Sequence, residues 1–172
     1  LPLYAYVAEL TRDREAARDI VQEAFAGAVR HIATLRDEAR FTSWLFGIAH
    51  QKCVAHFRRT RRYDERFVES ETAPDARCDE AAEDPRERVL REEQTAEFFG
   101  LVEQLPTEQR SALLLHVLED FSLEEIATIT AVPVGTVKSR LYHARRALRQ
   151  LVEEMSGRTK RRETGCSRAM PT

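Results

Sequence analysis

Along "VGTVKSRLYHARRALRQ" the side chains of Thr136, Lys138, Ser139, Arg140, Tyr142, His143, Arg145 and Arg146 are hydroxyls, cations and aromatic rings. Groups of this kind hydrogen-bond base edges and neutralise phosphates, and the helix that carries them adds the partial positive charge of its N-terminus. No acidic residue interrupts the stretch from Ile126 to Val152. A second concentration of charge has the opposite sign: Asp13, Glu15, Asp19 and Glu23 within "DREAARDIVQEAF". Clustered carboxylates can do acid–base chemistry, but no paired histidine, nucleophile motif or glycine-rich phosphate loop accompanies them. An enzyme is therefore not the expected class, and no cofactor is expected. Cys53, Cys78 and Cys166 are odd in number and far apart, without metal-ligand spacing. No metal site is expected, and a reduced, cytoplasmic setting fits.

The chain of 172 residues has 42% hydrophobic and 33% charged residues, enough apolar side chain to bury a core. Its net charge of −2 argues against a protein that coats nucleic acid along its whole length. Any such contact has to come from local patches. No apolar run approaches the roughly 20 residues that cross a bilayer, so membrane insertion is not expected. The sequence begins "LPLYAYVAEL", without Met, and an upstream helical portion is expected.

Two helical blocks must position these residues. In the first, over residues 1–62, Ala17, Ile20, Val21, Ala24 and Ala28 recur at helical spacing, while Glu15, Asp19, Gln22 and Glu23 gather on another face. The polar "ATLRDEAR" follows, then a stripe of Phe41, Trp44, Leu45, Ile48, Ala49, Cys53 and Phe57, with Thr42 or Ser43 as the expected cap. Residues 63–94 lose this periodicity, and residues 64–94 hold twelve Asp or Glu against five Arg, which reads as an acidic linker.

The second block spans residues 95–154. Leu105-Pro106-Thr107 ends one helix and opens another, since Pro suits a first turn. Ser122 with Glu125 is a capping-box pattern, and Pro133 separates two further helices. A short capped helix, a tight turn and a longer basic helix have the shape of a helix-turn-helix. Ile126, Ala127 and Ile129 would pack the first helix, and Val132, Val137, Leu141 and Leu148 the second. The charged face alone would also suit plain solvation. Residues 155–172 are small, polar and basic, and are expected to be disordered.

"LPTEQRSALLLHVLEDFSLEEIATITAVPVGTVKSRLYHARRALRQL" resembles region 4 of bacterial sigma factors, especially the extracytoplasmic-function (ECF) group of the sigma-70 family. "DREAARDIVQEAF" and "FTSWLFGIAHQKCVAHFRRTRR" resemble region 2 of that group. The resemblance implies an all-α protein of two small helical domains, a region 2 bundle and a region 4 helix-turn-helix, joined by the acidic linker. It implies a subunit that binds core RNA polymerase and recognises the −10 and −35 promoter elements, with the polymerase, promoter DNA and an anti-sigma factor as partners.

By motif position, Thr136, Lys138, Ser139, Arg140, Tyr142, His143 and Arg146 become candidates for the −35 element. Lys138, Ser139, Tyr142 and His143 are the first choices for bases, and Arg140 is a candidate for packing or for a phosphate. Arg36, Asp37, Arg40, Trp44, Lys52, His56, Arg58, Arg59, Arg61 and Arg62 become candidates for the melted −10 element, although Trp44 lies on the apolar stripe, where core packing is the simpler reading. Asp19, Gln22, Glu23 and Phe25 become candidates for the beta-prime clamp helices, and the second block for the beta flap. The linker's acids would mimic nucleic acid near the polymerase cleft, or simply stay solvated.

The sequence departs from the family pattern in three places. The usual "IARN" of region 2 is Ile48-Ala49-His50-Gln51, the Asp often found four residues on is Ala55, and the turn Gly of region 4 is Ala131. A helix-turn-helix regulator acting alone is the second reading. It has no use for the region 2 phrases.

Overall fold

The computed structural model describes residues 2–64 and 96–165, with side chains over 2–61 and 96–155. All its regular elements are helices: α1 (Pro2–Thr11), α2 (Arg14–His31), short 3-10 turns at Ile32–Thr34 and Glu38–Arg40, and α3 (Phe41–Asp64). Residues 96–102 form the described part of α4. Next come α5 (Thr107–Leu118), α6 (Leu123–Thr130) and α7 (Val134–Gly165).

Local chemistry sets most of the boundaries. Asp13 opens α2 by accepting hydrogen bonds from the Glu15 and Ala16 amides at 2.9 and 3.0 Å. Pro106 precedes α5, and its carbonyl accepts the Gln109 and Arg110 amides. The Ser122–Glu125 capping box closes both ways: Ser122 Oγ accepts the Glu125 amide at 3.2 Å and Glu125 Oε2 accepts the Ser122 amide at 2.9 Å.

Two expectations change. The segment before α3 is not capped by Thr42 or Ser43. Asp37 accepts the Ala39 amide at 3.1 Å and starts a 3-10 turn that leads directly into Phe41, while the Ser43 hydroxyl donates back to the Arg40 carbonyl. At the other end α7 runs on to Gly165, through much of the segment expected to be disordered. That stretch holds no Pro, carries Arg158, Lys160, Arg161, Arg162 and Glu163, which sustain helix, and its interior Gly157 costs only about 1 kcal/mol. Most of the acidic segment, residues 65–95, lies outside the described residues.

The helices form two units, α1–α3 and α4–α7, that share one core. α3 packs against α1 and α2 with one side and against α6 with another, and α1 also packs against α5. Tyr6, Phe46 and Phe121 connect the two units through ring contacts of 5.5 and 5.1 Å. Two glycines lie at helix contacts: a Cβ built on Gly27 of α2 would meet the Ile48 side chain of α3 at 3.6 Å within the first unit, and one built on Gly47 of α3 would meet the Ile129 backbone of α6 at 3.9 Å between the units, both ordinary contact distances.

Candidate nucleic-acid interface

α7 is positioned by its apolar side. Val137, Leu141 and Ala144 are buried and Leu148 packs against the same core. At 100° per residue, Ser139, Tyr142, His143 and Arg146 then stand on the opposite side of the helix. All four are exposed, Tyr142 to 63%, and its ring meets His143 edge-on at 5.4 Å.

Lys138, Arg145 and Arg149 lie on one flank, and with Tyr142 and Arg146 they edge an open groove of about 600 Å³ whose other walls are Leu123, Leu141 and His116. Thr136 and Arg140 lie on the other flank and are half-buried. The turn from α6 holds α7 at its angle: Ala131 adopts φ 55° and ψ 43°, and the Val132 amide bonds back to the Ala127 carbonyl at 3.1 Å. A tripod of hydroxyl, imidazole and guanidinium on a rigidly held helix N-terminal half can hydrogen-bond base edges while the flanking cations hold phosphates.

In the first unit α2 exposes Asp19, Gln22, Glu23 and Phe25. Glu23 is not free: Lys52 of α3 donates to its Oε2 at 2.7 Å, and that hydrogen bond and charge hold the Glu23 carboxyl below its usual range. Two residues expected to face different partners are therefore tied to each other. Beside the acidic ridge Phe25, Val29 and Ile32 are exposed at 49%, 75% and 47%, an apolar strip whose spacing of four and three residues was readable in the sequence.

The remaining candidates are scattered over a long track. Arg36 is exposed on the loop, while Asp37 pairs with Arg40 at 3.4 Å as it caps the turn. Trp44 is half-buried against the core, its ring 6.1 Å from that of Phe41. His56 is half-buried beside Phe57, and Arg58, Arg59 and Arg61 are exposed along α3. Arg62 lies in α3 with its side chain outside the described residues.

Sequence reasoning missed a polar cluster inside the core. Tyr6 Oη lies 2.8 Å from His50 Nδ1 and 3.0 Å from Ser111 Oγ, and these residues are 0%, 8% and 2% exposed. Burial, with the nearby Arg140 charge adding to it, pushes the His50 imidazole down to about 4, so it is neutral. Burial likewise raises the Tyr6 hydroxyl well above its ordinary range and pushes the Cys53 thiol up to about 12. The departure from "IARN" at His50 was the available signal.

Residues 2–63 match the family model "Sigma-70 region 2" and residues 96–148 match "Sigma-70, region 4". The RNA polymerase sigma-H factor of Pseudomonas aeruginosa is 35% identical over 153 residues, covering 87% of this chain and 79% of that protein. The ECF RNA polymerase sigma-E factor of Escherichia coli K12 is 36% identical over 141 residues, covering 80% and 74%. The sigma factor RpoE solved in complex with the anti-sigma factor NepR from Bartonella quintana shares the fold with a TM-score of 0.71 at 24% identity, over 88% of this chain and 89% of that one. CnrH, solved with the cytosolic domain of CnrY, has a TM-score of 0.58 at 21% identity, over 89% and 81%. With both family regions in order, and relatives this similar over most of their length, the chain belongs to the ECF group of the sigma-70 family, the non-enzymatic subunits that bring RNA polymerase to promoter DNA.

Proposed function

We propose that the two units of this sigma factor divide promoter recognition between them, with α7 reading the −35 element and the loop and α3 receiving the melted −10 element. The observation that carries this reading is the outward row of Ser139, Tyr142, His143 and Arg146 on a helix whose opposite side is fully committed to the core. Lys138, Arg145 and Arg149 serve the phosphates from its flank. On α3, Arg58, Arg59 and Arg61 follow the displaced strand, and Arg36 on the loop meets its bases. Trp44 supports the loop from within.

Asp19, Gln22, Glu23 and Phe25 dock on the polymerase clamp, with Val29 and Ile32 extending that contact as apolar neighbours. An acidic ridge with an apolar margin suits a basic partner helix, because charge steers the encounter and the apolar strip supplies the buried area. The chain works in the cytoplasm. An anti-sigma factor is its expected regulator, as the complexes of RpoE with NepR and of CnrH with CnrY illustrate for those proteins.

Transcription reconstituted with core polymerase tests this division. Lys138→Ala combined with His143→Ala is expected to lower −35-dependent initiation roughly 10- to 100-fold, at ~1–3 kcal/mol for lost base and phosphate contacts, while core binding is retained. Loss of core binding in that variant would move both residues off the DNA.

A further inference from the structure

Lys52 and Glu23 meet where the acidic ridge of α2 adjoins the cations of α3. Of the ion pairs among the described residues theirs is the shortest, at 2.7 Å, and it joins the two helices across 29 positions of sequence. The side chains are covered unequally, Lys52 being 27% and Glu23 59% exposed. The ammonium is tied down against α2, while the carboxylate still looks outward on the ridge that carries Asp19, Gln22 and Phe25. The hydrogen bond from Lys52, then its charge, hold the Glu23 carboxyl below its usual range, so it is ionised at neutral pH. Asp19, one turn earlier, makes no ion pair with a described residue.

Helix geometry sets Lys52 apart from the cations assigned to the displaced strand. At 100° per residue, Arg58 and Arg61 stand about 120° and about 180° round α3 from it. The packing register agrees: a Cβ on Gly27, one turn after Glu23, would meet Ile48, one turn before Lys52. Lys52 therefore stands on the line along which α3 faces α2. Arg59, two turns further on and exposed, reaches Glu23 through charge alone.

A carboxylate offers about four acceptor sites on two oxygens, and Lys52 fills one of them on Oε2. Oε1 makes no hydrogen bond to a described residue and is open to a donor from outside. A loose glutamate gives up rotamer freedom when a partner takes it, whereas one already held has less to lose. The ammonium opposes an incoming cation, but it lies behind the carboxylate, farther from that cation than the oxygens are. The attraction therefore exceeds the repulsion.

We infer that Lys52 is a positioning residue for polymerase docking: it holds the Glu23 carboxylate in the outward pose that the clamp takes, and it makes no contact with the −10 strand. This rests on the docking reading of Asp19, Gln22, Glu23 and Phe25 above.

The test measures binding of the full chain to core polymerase and, for the holoenzyme, binding to a single-stranded −10 oligonucleotide across a salt series. Lys52→Met keeps the apolar stem and removes the charge; it is expected to weaken core binding roughly threefold to fivefold. Lys52→Arg, which keeps the charge and the donors, is expected to recover most of that loss. In a Glu23→Ala background, Lys52→Met is expected to have no further effect, because its action runs through Glu23. The salt dependence of oligonucleotide binding is expected to keep its slope, which loss of one phosphate contact would lower by about 0.7. Core binding weakened by Glu23→Ala but unchanged or tightened by Lys52→Met overturns the inference. So does a loss that persists in the Glu23→Ala background, which would be structural or a polymerase contact of Lys52 itself, and a reduced salt slope would return Lys52 to the DNA. Core binding indifferent to Glu23→Ala overturns the docking reading itself, and the inference falls with it.

Discussion

Ala131 sits where a helix terminates in a left-handed residue, with φ 55° and ψ 43°. The Val132 amide reaches back five residues to the Ala127 carbonyl, and the Ala131 amide three residues to that of Thr128, the pairing of a Schellman turn. Glycine takes this conformation freely, whereas an alanine Cβ crowds its own carbonyl at a cost of about 1 kcal/mol. Ala131→Gly is therefore expected to stabilise the chain by about 1 kcal/mol in denaturant titration, with DNA recognition unchanged because no α7 side chain is altered. Ala131→Val is expected to destabilise it by more than that. The turn was legible in advance because Ser122, Glu125 and Pro133 bracket it with side chains that act locally. The outward set on α7 was legible for the same kind of reason: a 100° step fixes which residues oppose Val137 and Leu141. Asp37 and Lys52 were harder, since their partners, the Ala39 amide within a 3-10 turn and Glu23 on another helix, are set by loop geometry and packing.

α3 shows where an element defeats a reading based on one stripe. Leu45, Ala49 and Cys53 face the first unit and were readable as a core face, but Phe46 and His50 are just as buried on a side turned towards the second unit. A helix covered on two sides by different partners has no single apolar stripe, and a histidine on its second face reads as surface until the partner is known. That burial has a pH signature. His50 is held near 4 in the folded chain by burial and then by Arg140 of α7, and it returns towards about 6.5 when the packing around it is lost. Tyr6 of α1 and Cys53 of α3 stay neutral throughout, and Ser111 of α5 does not ionise. Because the exposed imidazole binds the proton more strongly, the stability of this packing is fully present above about pH 6.5 and falls as pH drops towards 4, by roughly 3 kcal/mol in all. Fluorescence transfer between dyes on the two units is expected to drop between pH 7 and pH 5 in the wild type. In His50→Gln, which cannot titrate, that slope is expected to vanish; a slope that persists would assign it to another group.

At the scale of the whole molecule, the two units were legible from their separate motifs, but their union was not. Each unit has the caps and periodicity of a domain that could be complete. Nothing in a local pattern announces that Tyr6, Phe46, Phe121 and Ile129 belong to one contiguous core. Shared burial makes the free chain a single cooperative body, and two-state melting follows if the seam outlasts neither unit. Gly47 offers a way to separate the contributions. A single Cβ there would touch the Ile129 backbone at an ordinary 3.9 Å, but a leucine's branch would have to occupy the space that α6 fills. Within α3 the same change replaces glycine by a strong helix former, worth about 0.8 kcal/mol in favour of the first unit. Gly47→Leu is therefore expected to resolve one calorimetric transition into two, the first unit melting no earlier than before and α4–α7 earlier, deprived of the α3 surface. Gly47→Ala, which fits, is expected to keep the single transition and raise its midpoint. A single unshifted transition in Gly47→Leu would mean that the two units do not depend on each other's burial.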